Sequence, residues 1–138
     1  MIDQLTVFLG NKRGRLTALC KAVGDAGLQM YALSVADTSD YGIVRIICDD
    51  PQRAQEELAK KGFSASVTKV VVVMVPDVPG GASAVFAAIE DAGMNIEYAY
   101  CFATRGENAV MAVKAEGDVP AALEAAGFKV VYPRDLVP

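Results

Sequence analysis

An α+β chain made of two tandem βαββαβ modules is predicted by three observations. The sequence repeats itself almost end to end, each copy shows the same order of strand and helix periodicities, and 53% of the 138 residues are hydrophobic, enough for a packed core. Laying the chain on itself with a shift of 66 puts Asn11 on Asp77, Gly14 on Gly80, Asp25 on Asp91, Ala26 on Ala92 and Gly27 on Gly93. One deletion later the shift is 65, and Leu58, Gly62 and Phe63 fall on Leu123, Gly127 and Phe128. The copies are therefore expected as domains of residues 1–68 and 69–138.

Each copy opens on an apolar strand, Leu5 to Leu9 or Val70 to Val75, followed by a glycine-containing loop. A helix comes next, because Leu16, Leu19, Cys20 and Val23 recur as Ala82, Val85, Phe86 and Ile89 at the spacing that keeps one helical stripe buried. Gly27 and Gly93 stop these helices. Two strands follow in each copy, Leu28 to Ala36 with Ile43 to Cys48, and Met94 to Ala103 with Ala109 to Lys114. Asp37-Thr38-Ser39-Asp40 and Arg105-Gly106-Glu107 supply the hairpin turns. Pro51 and Pro120 open the second helices at a favoured early position, with Asp49-Asp50 as an acidic pair at the first of these N-termini. Phe63 to Val67 and Phe128 to Tyr132 close the units as last strands. This order is the ferredoxin-like one, a four-stranded antiparallel sheet with both helices on one face. The opposite face is left bare, yet Val70 to Val75 is apolar on both alternations, so in the second copy that face is expected to be covered by the other copy or by a second chain.

Composition removes several function classes. The sequence has no histidine and no Cys-x-x-Cys, which argues against common zinc sites, Ser-His or Cys-His nucleophile pairs and the usual general base, and no cofactor or metal is expected. Cys20, Cys48 and Cys101 are odd in number and set among apolar residues, as reduced packed thiols would be. No basic segment leads into an early apolar one, and the Val70 to Val75 run falls far short of the roughly 20 residues of a membrane helix, so a soluble, unexported, cytoplasmic protein without a membrane partner is expected. Net charge is −4 with no long basic run, which speaks against nucleic acid. Residues 1–68 hold 8 Lys/Arg and 8 Asp/Glu, residues 69–138 hold 5 and 9, so the acidity belongs to the second copy.

Chemistry concentrates in the two loops between first strand and first helix, Asn11-Lys12-Arg13-Gly14-Arg15-Leu16 and Asp77-Val78-Pro79-Gly80-Gly81-Ala82. Each sets a short Asx side chain at a strand end and a glycine at a helix N-terminus, where unpaired N–H groups favour an anion. The competing structural role is a cap from Asn11 or Asp77 and a simple turn at glycine. An amino-acid zwitterion needs donors for its carboxylate and an acceptor for its ammonium; Asp77 is such an acceptor, Asn11 serves either end, and Lys12, Arg13 and Arg15 favour an anionic group. Tyr98, Tyr100 and Phe102 share a strand face by alternation, as core or interface packing, and Cys101 points to the other side.

The apolar strand, the Asp77-Val78-Pro79-Gly80-Gly81 loop, the helix closing in Asp-Ala-Gly and the Met94-Asn95-Ile96 strand opening resemble the ACT domain, and the first copy repeats the pattern in Asn11 to Leu16 and Asp25-Ala26-Gly27-Leu28. Two copies fill the chain, so the resemblance is to stand-alone tandem ACT proteins. It implies ACT-type modules that bind a small effector, most often an amino acid, at an interface between two domains, and pass the signal to a regulated enzyme or regulator. A homodimer is expected. Carried over by position, the contacts are Asn11, Lys12, Arg13, Gly14, Met30 and Tyr31 in one copy and Asp77, Val78, Gly80, Gly81, Asn95 and Ile96 in the other. The chain departs from the pattern at Arg13, where a proline is usual, and at Gly81 and Ala82, smaller than usual, which is expected to widen the second site or weaken its packing. No catalytic residue is implied.

Two rivals stand beside effector binding. One is a docking module in which the tandem sheet engages a partner protein without a ligand. The other is acylphosphatase-like hydrolysis, with Arg13 or Arg15 at the phosphate; the second copy has no arginine there, and the first lacks an asparagine on a matching later strand.

Overall fold

The computed structural model describes residues 1–37 and 40–136. The chain divides into two compact units, Asp3–Thr68 and Lys69–Pro138, the latter also taking Met1 and Ile2. The first unit holds β1 (Ile2–Gly10), α1 (Arg15–Asp25), β2 (Met30–Asp37), β3 (Tyr41–Cys48), α2 (Pro51–Lys60) and the front of β4 (Ala65–Pro76). The second holds the remainder of β4, then α3 (Gly81–Asp91), β5 (Ile96–Arg105), β6 (Asn108–Ala115), α4 (Val119–Ala125), β7 (Val130–Val131) and α5 (Pro133–Leu136). β4 is one strand of 12 residues, where the sequence reading has two separate strands; only Thr68 and Lys69 stand between the two apolar runs, and neither is a glycine or proline that would interrupt a strand.

The β1–β3, β2–β3, β4–β6, β4–β7 and β5–β6 pairings are antiparallel. In the first unit β3 lies between β1 and β2, with Val7 opposite Val44 and Val35 opposite Val44 on the other side. In the second, β6 lies between β4 and β5, and β7 adds a short pairing of Val131 with Val72. The turn predicted at Asp37 to Asp40 falls partly on Thr38 and Ser39, which lie outside the described residues.

The helices end alike because their sequences end alike. At Asp-Ala-Gly the chain turns through a left-handed glycine, Gly27 or Gly93, and the next N–H returns to the helix: Leu28 to the Val23 carbonyl at 3.2 Å, Met94 to the Ile89 carbonyl at 3.3 Å. Phe63 and Phe128 repeat this device after α2 and α4, at 2.9 and 3.0 Å. Asp50 and Asp118 cap those helices, each accepting a backbone N–H at 3.2 Å. Asp49 of the predicted acidic pair instead accepts the Gln29 N–H at 3.1 Å, tying β3 to the start of β2.

Each unit has its own core. Leu5, Val7, Val44, Ile46, Leu19 and Leu58 form the centre of the first, and Val71, Val73, Val113, Val85, Ile89 and Leu123 that of the second. Fully burying one such side chain contributes about 1.5–3 kcal/mol. On β4 and β6 the alternate residues Val70, Val72, Val110 and Ala112 are buried as well, so the face away from α3 and α4 is covered along its middle, as the two-sided apolar run requires. No helix of the described residues is long and apolar enough to cross a membrane.

Two expectations are corrected here. Cys101 is exposed rather than packed; the ladder shifts register between Cys101 and Ala103, and this irregularity sits where the sequence shows unbroken alternation. Gly81 does not open space: a Cβ there would lie within 2.1 Å of the Pro76 carbonyl oxygen, so the start of α3 presses directly on the end of β4.

Two predictions follow from packing. Alanine at Gly24, an exposed position within α1 where a Cβ meets nothing within 4 Å, stabilises the protein by about 0.5–1 kcal/mol, whereas Gly81→Ala destabilises it by about 1–3 kcal/mol, as read by equilibrium unfolding. Among the thiols, Cys101 reacts first with a maleimide in the native protein; Cys48, buried and with its thiol pushed up by desolvation, reacts only on unfolding, as peptide mass spectrometry of the labelled protein will show.

Candidate functional site

The two first-strand-to-helix loops have one backbone conformation with different side chains. In the first, the Asn11 N–H donates to the Asp40 carbonyl at 3.1 Å, the Lys12 N–H to Gly10 at 2.8 Å and the Arg15 N–H to Lys12 at 3.3 Å. In the second, the Asp77 N–H donates to the Glu107 carbonyl at 2.9 Å, the Val78 N–H to Pro76 at 2.9 Å and the Gly81 N–H to Val78 at 3.0 Å. Gly14 and Gly80 are the N-cap residues, at φ of 91° and 86°, a region that an L residue enters at a cost of about 1–2 kcal/mol. Neither helix start receives a side-chain cap. The capping role weighed for Asn11 and Asp77 is therefore not the one they play, and both side chains stand exposed at their loops.

In the first unit this loop closes one end of a pocket of about 130 Å³. Its floor and walls are Leu9, Leu16, Val35 and Val44; its polar lining comes from Asn11, Lys12 and Arg15. Leu16, which helical periodicity assigns to the buried stripe, is 38% exposed, and Val35 on the edge strand β2 is 50% exposed. Both are apolar walls left open where α1 begins, one turn short of full cover. In the second unit the corresponding hollow, about 470 Å³, is lined by Pro76, Asp77, Val78, Glu107 and Asn108. The two hollows thus carry opposite charge from different positions: Lys12 and Arg15, which match Val78 and Gly81, line the first, while Asp77, which matches Asn11, and Glu107 line the second.

Of the residues singled out by sequence, Asn11, Lys12, Asp77 and Val78 line these hollows, whereas Arg13, Gly14, Gly80 and Gly81 belong to the loops without lining them. A Cβ on Gly14 or Gly80 would meet nothing within 4 Å, so these glycines serve the backbone turn rather than ligand clearance. Met30 and Tyr31 are not brought to the first loop within their own unit: Met30 pairs with Cys48 at one end of the ladder, while Gly10 pairs with Tyr41 at the other. Ile96, opposite Ala115, is likewise at the far end from Pro76, opposite Asn108, and Asn95 precedes it. Arg15, one of the three loop cations, does line the first pocket, and Leu16, Val35 and Glu107 are lining residues that the sequence does not reveal as such. For Glu107 and Val35 the missing step is the antiparallel register, which sets the close of one hairpin beside the loop.

Among the described residues no group of three or more Cys, Asp or Glu side chains is placed to hold a metal ion. The second-loop substitution Asp77→Ala and its counterpart Asn11→Ala are expected to leave the unfolding midpoint unchanged within about 0.5 kcal/mol, since neither side chain caps a helix.

A family model described as an ACT domain pair matches residues 1–121. The fold superposes on protein BT0572 from Bacteroides thetaiotaomicron with a TM-score of 0.90 at 31% identity, over 98% of this chain and 94% of that one. It is also similar in fold to the ligand-free regulatory subunit of aspartate kinase from Thermus thermophilus, TM-score 0.68 at 19% identity over 91% and 90% of the two chains. Aspartokinase alpha and beta subunits give a TM-score of 0.64 at 18% identity, over 91% and 92%. A search of curated proteins returns no match.

Proposed function

Because the chain belongs to the ACT domain pair family, we propose that it is a ligand-sensing regulatory protein that binds a small effector, an amino acid, at its first-strand-to-helix loops and acts on an enzyme or regulator rather than on a substrate of its own. The observation that carries this reading is the repeated loop, with one backbone hydrogen-bond pattern in both units and a hollow at each. The regulatory character of structural neighbours such as the aspartate kinase subunit supports it.

In this reading each loop is a site of its own: Asn11, Lys12, Arg13 and Gly14 form the first, which favours a carboxylate, and Asp77, Val78, Gly80 and Gly81 the second, where Asp77 is the acceptor for an ammonium. Met30, Tyr31, Asn95 and Ile96 lie at the far ends of their own ladders, so in this reading they contribute to a loop of another domain or of another subunit, and a homodimer is proposed. The protein is proposed to work in the cytoplasm.

A thermal-shift screen of the twenty amino acids and common aromatic acids tests the reading. An effector present at 100 times its dissociation constant is expected to stabilise the fold by about 2.7 kcal/mol. Asn11→Ala should abolish the shift of an effector held at the first loop, and Asp77→Ala that of one held at the second, without altering the unliganded midpoint. Silence across the whole screen favours a docking module, and a shift untouched by both substitutions places the effector elsewhere.

A further inference from the structure

Arg15 is the residue that tells the two loop pockets apart, and it faces two ways. It lines the first-loop pocket, and it also lines a groove of about 350 Å³ on the outer side of α1, where its guanidinium stacks 4.8 Å from the centroid of the Phe63 ring. The second unit keeps the ring position as Phe128 but has Gly81 in place of the arginine, at a point where no Cβ fits.

From this asymmetry we propose that the first-loop pocket is a site for short aliphatic carboxylic acids, with Arg15 leaving the Phe63 ring to hold the carboxylate and the amino group of the acid dispensable. The inference rests on the reading of the loops as effector sites and narrows it to one pocket and one ligand class.

Three properties of the pocket select that class. Its floor is made of aliphatic side chains, Leu9, Leu16, Val35 and Val44, which suit a short hydrocarbon chain and give no partners to a free inorganic anion. Its polar side-chain groups, Lys12, Arg15 and Asn11, comprise two cations and an amide, and no Asp or Glu lines it, so a carboxylate is matched while an ammonium finds no charged acceptor. Its volume of about 130 Å³ is comparable to the cavity of about 150 Å³ that holds benzene, which has as many non-hydrogen atoms as butyrate.

The resting place of Arg15 fits such a role. Stacking on Phe63 keeps the guanidinium beside the pocket without filling it, and a cation–π contact at a surface is weaker than the bidentate, charge-assisted bond that a carboxylate offers. An arriving carboxylate therefore draws the side chain across. Lysine substitutes only in part, keeping the charge but not the planar fork.

Isothermal titration of the full-length protein with butyrate, 2-oxobutyrate, 2-aminobutyrate and butyramide tests the proposal. The three carboxylates are expected to bind within a few-fold of one another and butyramide at least tenfold more weakly. Arg15→Gln should weaken the carboxylates about ten- to a hundredfold, Arg15→Lys by an intermediate factor, and Asp77→Ala not at all. Arg15 is exposed, so both variants are expected to keep the unliganded unfolding midpoint of the parent. Binding of 2-aminobutyrate alone, or binding of all four compounds unaffected by Arg15→Gln, overturns the proposal while the effector reading stands. No binding of these acids, together with no response to any amino acid, overturns both.

Discussion

Each loop is held in place by one backbone hydrogen bond, from the residue after the strand to the carbonyl at the close of the facing hairpin: Asn11 to Asp40, Asp77 to Glu107. Everything distinctive about the sites hangs on it. The bond sets the loop over the open end of the sheet, the left-handed glycine then turns the chain into the helix, and the first helical residue lands beside the strand it has just left. With both N–H and C=O drawn from the main chain, the geometry places no demand on side-chain identity, and the loop side chains are released from structural duty.

That release explains how one backbone carries two chemistries. Neither Asn11 nor Asp77 is occupied in capping, and the neighbouring positions range from Lys12 and Arg15 to Val78 and Gly81 without disturbing the three hydrogen bonds. The scaffold is fixed at the helix ends by Asp-Ala-Gly and at the second helices by Asp50 and Asp118, well away from the loops. Stability and recognition are thus carried by different residues, and the charge at the two sites is free to diverge.

Much of the fold was legible because its signals are local. Glycine after Asp-Ala, proline with a preceding aspartate, and apolar alternation each act within a few residues, and the helices and hairpins follow from them. What failed to show in the sequence is whatever depends on register. Leu16 reads as one more apolar position on a helical stripe, yet at the first turn of α1 that stripe meets the edge strand instead of the core, and the residue becomes a pocket wall beside Val35. Glu107 reads as a turn residue, but strand pairing sets it against Asp77. Met30 and Ile96 were placed with the loops by resemblance, whereas the pairing of each ladder puts them at its other end. The bulge beside Cys101 leaves no mark in a run that alternates without interruption.

The contact of Gly81 with the Pro76 carbonyl also limits how the second loop can change. The first copy carries arginine at the matching place, but any side chain at 81 presses on the end of β4, so returning the cation costs stability unless that strand end shifts. Positions 77, 78 and 107, exposed and lining the hollow, carry no such cost, so new specificity in the second copy is more readily reached there than at 81.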